Sequence, residues 1–306
     1  MTDSQITDTG PVDVTVILPV YNEVHHLEAE IERIRRALDS SAYSYEILVV
    51  DDGSSDGSTE LLRSMQGIRL ITFAANRGSG TARRIGTQAA RGRTVVWTDV
   101  DMTYPNDEIP QLVKELDGYD QVVGARRTEE GTVKFVRVPA KWFIRKLAAF
   151  LADTEIPDLN SGFRAFRKDV AKQFLHMLPK GFSCVTTMTM SFLANGYSVK
   201  YVPIDYLPRA GKSKFHWWRD TQQYLLQVFR LIMSYDPLRI FVPVGSVLMF
   251  LAVGKLAFDM IRHPFGIAVD TLVITFAAFQ IFAIGLLADL VVRTNRRGDE
   301  APPSSH

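Results

Sequence analysis

The sequence has little cysteine, little histidine and almost no net charge, and each shortage removes a class of function. One cysteine, Cys184, in 306 residues cannot form an internal disulfide or a cysteine-built zinc cluster. The histidines at 25, 26, 176, 216 and 263 show neither metal-ligand spacing nor a partnered serine, which leaves metal-cluster and triad chemistry without a footing. With 35 Lys plus Arg against 34 Asp plus Glu, the net charge is +1, so no whole-chain field draws nucleic acid, and none is expected as a partner. The polar start from Met1 to Gly10 lacks the apolar run of a secretory signal, so the soluble part is expected in the cytosol. At 46% hydrophobic and 23% charged residues, disordered and repetitive classes are also excluded.

What the chain does have is an apolar end. From Ile240 to Gly254 no charge occurs, and the run continues to Ile261 with only Lys255 and Asp259 interrupting it. After His263-Pro264-Phe265-Gly266, a second run from Leu272 to Ala288 has Gln280 as its one strongly polar residue. Each reaches the roughly 20 residues that a spanning helix needs. Lys255 and Asp259 are spaced to pair on one helix face. Arg239 before the first run and Arg293, Arg296 and Arg297 after the second put both ends on the cytoplasmic side. Phe215 to Tyr235 reads as an amphipathic helix along the membrane surface, and the aromatic stripe Trp142 to Leu151 fits either a similar face or ordinary core.

Before that end, β-branched runs alternate with helical stretches, the pattern of a parallel sheet with crossover helices. Val14–Leu18, Glu46–Val50, Ile68–Phe73 and Thr94–Thr98 read as strands. His25–Leu38, Ser58–Met65 and Gly80–Ala90 read as helices, the second capped by Asp56 and Ser58. Ligands of such sheets gather beyond the carboxyl ends of the strands. There the chain places Pro19-Val20-Tyr21-Asn22-Glu23, the acidic turn Asp51 to Gly57, and Asp99-Val100-Asp101, with Asn160-Ser161-Gly162-Phe163-Arg164 later. Carboxylates crowded at adjacent strand ends repel one another unless they bind a cation, a sugar hydroxyl or a base amine. Gly78, Gly80 and Gly86 do not make a dinucleotide fingerprint, which belongs after the first strand. They read as the start of a closely packed helix, and Arg83, Arg84, Arg91 and Arg93 as surface.

In these residues the sequence resembles the family-two glycosyltransferases of GT-A fold, and more closely the polyprenyl-phosphate glycosyltransferases typified by dolichyl-phosphate mannose synthases. The resemblance runs from Val14 to about Lys214 and extends to the two-helix tail of a bacterial subgroup. It implies an α/β, GT-A (Rossmann-like) catalytic domain over 13–214, after a flexible tail at 1–12. An amphipathic helix at 215–238, a transmembrane hairpin at 239–292 and a cytoplasmic tail at 293–306 then follow. It further implies that Pro19, Tyr21, Asn22, Glu23, Asp51, Asp52 and Asp99 hold the donor nucleotide, and that Asp99 and Asp101 hold Mg²⁺ or Mn²⁺ on the diphosphate. Ser161, Arg164, Arg209 and Lys212 match motifs used near the acceptor phosphate. Where many relatives have Gln two places after the second Asp, this chain has Thr103, so no metal contact is expected there.

The chemistry of the residues agrees with these roles. Mg²⁺ takes one or two carboxylates plus substrate phosphates, which Asp-x-Asp at a strand end offers. Arg126, Arg164, Arg209 and Lys212 are candidates to grip an anionic lipid head, with Arg127 and Lys214 as solvated charge. The expected reaction is inverting transfer of a sugar from a nucleotide-sugar, UDP-linked before GDP-mannose by analogy, to polyprenyl phosphate at the cytoplasmic membrane face. The expected catalytic set is Asp99, Asp101, Arg126 and Arg164. A processive polysaccharide synthase would carry Gln-x-x-Arg-Trp and more spans, and a non-catalytic nucleotide-sugar-binding protein would have lost the acidic pair. Homo-oligomer formation, the sugar and the base are left open by the sequence.

Overall fold

The structure, a computed structural model, describes residues 10–127, 156–181, 183–207, 233, 236–262 and 268–299. The amphipathic stretch expected at 215–235, the stripe at 142–151, and Arg209, Lys212 and Lys214 lie outside them. The chain divides into two units, 1–227 and 228–306.

The first unit holds a seven-stranded sheet in the order β3-β2-β1-β4-β6-β5-β7. Its strands are β1 (Val14–Val20), β2 (Tyr45–Asp51), β3 (Arg69–Thr72), β4 (Thr94–Trp97), β5 (Gln121–Arg126), β6 (Arg164–Arg167) and β7 (Val199–Ile204). The first four strands and the helices between them fall where hydrophobic patterning puts them: α1 is Val24–Asp39, α2 Ser58–Ser64 and α3 Ser79–Ala89. The expectation of a parallel sheet needs one correction. β6 runs antiparallel to both β4 and β5, while β5 and β7 are parallel to each other. The sheet is therefore mixed, and Ser161–Phe163 enter it from the edge where β4 ends, because Trp97 pairs with Arg164.

Alternation along β1 builds two cores. Val14, Val16, Leu18 and Val20 face α1 and join Leu27, Ile31, Ile34 and Leu38, which recur on one face of that helix. Ile17 points the other way, to a layer with Val50, Trp97, Phe166, Met188 and Phe192. Each such side chain, fully buried, stabilises by about 1.5–3 kcal/mol relative to exposure. The second layer uses α5 (Lys168–Lys172) and α6 (Cys184–Ala194), with α4 (Ile109–Lys114) on the first. α3 packs closely on the sheet, because a Cβ at Gly86 would lie 2.6 Å from an Ile17 methyl.

The second unit is an antiparallel pair of apolar helices, α7 (Leu238–Arg262) and α8 (Val269–Asp299). Their apolar stretches, 25 and 26 residues with mean hydropathy 2.0 and 2.2, are long enough to cross a membrane. At 1.5 Å per residue the first is about 37 Å long, against a hydrocarbon core of about 30 Å. Phe250, Ile261, Phe276 and Leu286 face outward. The helices approach through reciprocal glycine–phenylalanine contacts, with Gly245 against the Phe282 ring and Gly285 against Phe241. Lys255 reaches Asp259 at 3.1 Å and also Asp270 of the other helix at 3.0 Å.

Candidate active site

The loops after β1, β2 and β4 meet at the carboxyl end of the sheet, and their polar side chains are largely spent on each other. Asn22, at φ 55, takes a left-handed conformation that asparagine tolerates. Its N–H donates to Ser54 Oγ at 3.0 Å, and its Oδ1 accepts from the Ser55 N–H at 2.8 Å, which laces the first loop to the second. Asp56 then serves two helix starts, accepting from the N–H groups of Val24 and of Ser58. The residue at the α2 N-cap position is Gly57, at φ 96, with Asp56 bonding from one place earlier.

Asp51 and Asp52, at the end of β2, are both buried. Asp51 accepts from the Ser54 N–H at 3.1 Å and the Thr59 hydroxyl at 2.6 Å. Asp52 accepts from the N–H groups of Arg77 and Gly78 at 2.7 and 2.8 Å. Burial pushes the Asp52 carboxyl above its ordinary value, against the lowering effect of those two amides. Both carboxylates thus fix loops, with Pro19, Tyr21 and Glu23 partly exposed beside them.

The loop after β4 is held from three sides. Asn106 donates to Asp99 O at 3.1 Å and to the buried Glu30 carboxylate of α1, and accepts from the Thr98 hydroxyl. The Thr103 hydroxyl donates to Asp101 Oδ1 at 2.6 Å. Met102, between them, sits at φ 64, an uncommon conformation for a non-glycine residue that such anchoring sustains. Arg83 donates from Nη2 to Asp99 Oδ1 at 2.6 Å. Its side chain is 2% exposed, so it is not the surface residue that its charge suggests. The signal was present in the sequence, because Arg83 shares a helical stripe with Gly86, Thr87 and Ala90, all buried.

Two arginines expected at an acceptor phosphate have protein partners. Arg126 is paired with Asp158 through Nε at 2.7 Å and Nη2 at 3.0 Å, and lies over the Tyr206 ring. Burial would raise the Asp158 carboxyl, but Arg126 wins and holds it below the usual carboxylate value. Arg164 is wholly buried, and its guanidinium bonds to the carbonyls of Ser161 and Val185 and to the Thr189 hydroxyl. Burial lowers it to about 10, which keeps it charged at neutral pH. It ties the Ser161 loop to α6 from behind and reaches no open surface. Ser161 is likewise buried, and its hydroxyl accepts from the Phe163 N–H at 3.3 Å. Cys184, buried beside Arg83 and Arg164, has its thiol pushed up by burial and stays protonated.

Tyr104 closes the site's inner wall. Its ring stacks on Phe163 with centroids 5.8 Å apart, and its hydroxyl accepts from the Gly162 N–H at 2.7 Å. Burial, with Asp99 nearby, pushes that hydroxyl well above its ordinary value.

Residues 15–175 match glycosyl transferase family 2, and residues 236–293 match the GtrB C-terminal hairpin. The chain belongs to glycosyl transferase family 2. This family-2 glycosyltransferase is 30% identical to an undecaprenyl-phosphate 4-deoxy-4-formamido-L-arabinose transferase of Aeromonas hydrophila, over 92% of this chain and 88% of the relative. An uncharacterised glycosyltransferase of Synechocystis is 28% identical over 82% of this chain and 79% of its own. Among solved structures, glucosyl-3-phosphoglycerate synthase from Mycobacterium tuberculosis, in complex with Mn²⁺, UDP and glucosyl-3-phosphoglycerate, superposes with a TM-score of 0.58. It is 20% identical, covering 72% of this chain and 80% of that one. The likeness establishes a GT-A-like fold for the glycosyltransferase.

Proposed function

We propose that this glycosyltransferase moves a sugar, with inversion, from a UDP-sugar to the phosphate of a polyprenyl lipid at the cytoplasmic face of the cell membrane. The observation that carries the reading is the Asp99–Asp101 pair, locked on its loop by Arg83, Asn106 and Thr103, in a chain that also carries an apolar hairpin. The relatives named as undecaprenyl-phosphate sugar transferases support the acceptor class. The complexes of structural neighbours with UDP and Mn²⁺ support the donor. Arginines flanking the hairpin, Arg239 before it and Arg293, Arg296 and Arg297 after it, favour cytoplasmic ends.

In this reading Pro19, Tyr21, Asn22 and Glu23 frame the nucleotide, and Asp51 and Asp52 shape its pocket through the loops they tie. Mg²⁺ or Mn²⁺ fits Asp99 and Asp101. No third His, Cys, Asp or Glu converges with them among the described residues, and such cations accept two carboxylates and leave other positions to substrate phosphates. When bound, the ion would offset the charge gathering on the leaving diphosphate. Thr103 orients Asp101, and Arg83 orients Asp99.

The acceptor side has no carboxylate or histidine assigned as base, and a phosphate acceptor has no need of one. Its second pKa is about 6, so the attacking oxygen is already largely anionic. What it needs is positive charge against repulsion between two phosphate-bearing substrates. Arg209 and Lys212, outside the described residues, supply it, while Arg126, paired with Asp158, and the buried Ser161 and Arg164 support that loop from within.

The test is nucleotide release from a panel of UDP- and GDP-sugars with polyprenyl phosphate present and absent. Release from one UDP-sugar that depends on the lipid phosphate is expected. Lipid-independent release, or dependence on a lipid alcohol instead, overturns the reading. Arg209→Ala is expected to lose tenfold or more in lipid-dependent turnover, about one charge-assisted phosphate contact, with UDP affinity unchanged.

A further inference from the structure

A cleft of about 520 Å³ at the opposite end of the sheet, beside Val14 and Thr94, carries no ligand argument. Its cations are committed, Arg93 to Asp13 and Arg167 to Asp169, with Lys168 capping the carbonyls of Ala90 and Arg91. The arrangement behind Asp99 carries more.

We propose that Arg83 and Gly162 together form the seat of Asp99, with Arg83 as a positioning residue for the carboxylate that meets the donor's cation. The proposal rests on the reading of Asp99 given above. Asp99 is 30% exposed and Arg83 2% exposed, so the carboxylate faces the site while the guanidinium is fixed behind it. Arg83 has little room to follow a moving partner, since its side chain is buried and the Trp97 ring lies 5.8 Å from its guanidinium carbon.

On the other side stands Gly162. A Cβ there would lie 3.0 Å from Asp99 Oδ2, 3.2 Å from Arg83 Nη2 and 3.3 Å from the Tyr104 hydroxyl oxygen. Each of these is tighter than an ordinary side-chain contact, so a Cβ would press on all three atoms, whereas glycine lets the loop close on them and its N–H bonds the Tyr104 hydroxyl. Phe163 stacked on Tyr104 and Arg164 bonded to Ser161 O hold that loop in place. The Ser161–Arg164 segment, which the sequence assigns to the acceptor, therefore also buttresses the acidic pair.

Two effects of Arg83 oppose each other. Its charge competes with a cation for Asp99, while its hydrogen bond fixes the carboxylate. Outer partners that fix a metal ligand's orientation are typically worth about ten- to a hundredfold in metal affinity. Positioning is taken to win because the pair is rigid and the guanidinium is buried.

The experiment uses the full-length protein in detergent, with Mn²⁺ titrated calorimetrically at fixed UDP for the wild type, Arg83→Gln, Arg83→Lys, Asp99→Asn and the double variant Arg83→Gln/Asp99→Asn. Thermal unfolding is followed in parallel. Arg83→Gln is expected to weaken Mn²⁺-dependent UDP binding about tenfold or more, Arg83→Lys to recover part of it, and the double variant to be no worse than Asp99→Asn. Metal-free UDP binding should stay within about twofold of wild type, since only the ligand geometry is lost. A lower unfolding temperature with unchanged Mn²⁺–UDP affinity overturns the proposal, as do additive losses in the double variant. Stronger Mn²⁺ binding in Arg83→Gln would make Arg83 a competitor and overturn it equally. Should Arg83→Gln fail to fold, Arg83→Lys and Gly162→Ala decide by the same titration. If the wild type binds neither UDP nor GDP with Mn²⁺, the donor reading fails by itself. Mn²⁺ binding alone, read by the spin resonance of the free ion, then decides for Arg83.

Discussion

The Thr103 hydroxyl donates to Oδ1 of Asp101 at 2.6 Å, and the Thr103 N–H points at the same oxygen from 3.3 Å. The residue that replaces a common glutamine thus acts on the carboxylate. Asp101→Ala is expected to abolish sugar transfer, read as donor-nucleotide release, without loss of the folded state. Thr103→Val should keep the fold and reduce turnover about tenfold, the size of one hydrogen bond to a charged group. Near wild-type turnover of Asp101→Ala in Mg²⁺ or Mn²⁺ would rule out its role.

Arg164 gives a prediction opposite in kind to the one its motif suggests. Its removal leaves the buried carbonyl of Ser161 without that donor, at about 1–3 kcal/mol, while the Val185 carbonyl keeps the Thr189 hydroxyl. Arg164→Ala should therefore lower the unfolding temperature and the folded yield. A variant of wild-type stability with a raised KM for the lipid phosphate alone would return Arg164 to the acceptor.

The Arg126–Asp158 pair predicts an acid limb. Burial raises the Asp158 carboxyl, but Arg126 and the neighbouring amides outweigh it and depress it below its ordinary 3.8. A carboxyl depressed by folding contributes stability that is fully present above the unfolded value and disappears as pH falls through the folded one. The loss therefore begins near pH 3.8 and is complete only below it. Unfolding temperatures measured from pH 6 to pH 3 should fall less steeply for Asp158→Asn than for the wild type, and parallel slopes would remove Asp158 as the cause.

The hairpin predicts resistance to extraction. Spans of mean hydropathy 2.0 and 2.2 with outward apolar faces should keep the full-length chain in the membrane pellet through alkaline carbonate and high salt, since only peripheral association releases that way. Recovery in the supernatant would refute spanning.

The sequence by itself determined what depends on neighbours along the chain. Strand and helix periods put β1 to β4 and α1 to α3 within about two residues of their observed ends, and continuous apolar runs marked α7 and α8. The pairing of Lys255 with Asp259 followed from one helical turn of spacing. Tertiary structure decided what depends on distant partners. β6 reverses direction because Trp97 meets Arg164 across a gap that no local period spans. Arg83 and Arg164 look alike as charges in the sequence, yet both are buried, one by Asp99 sixteen residues away and one by carbonyls up to twenty-one residues away. Arg126 finds Asp158 thirty-two residues on. The charge of a side chain does not by itself mark whether it will meet water or a buried partner, because desolvation is repaid only by the group that folding brings to it.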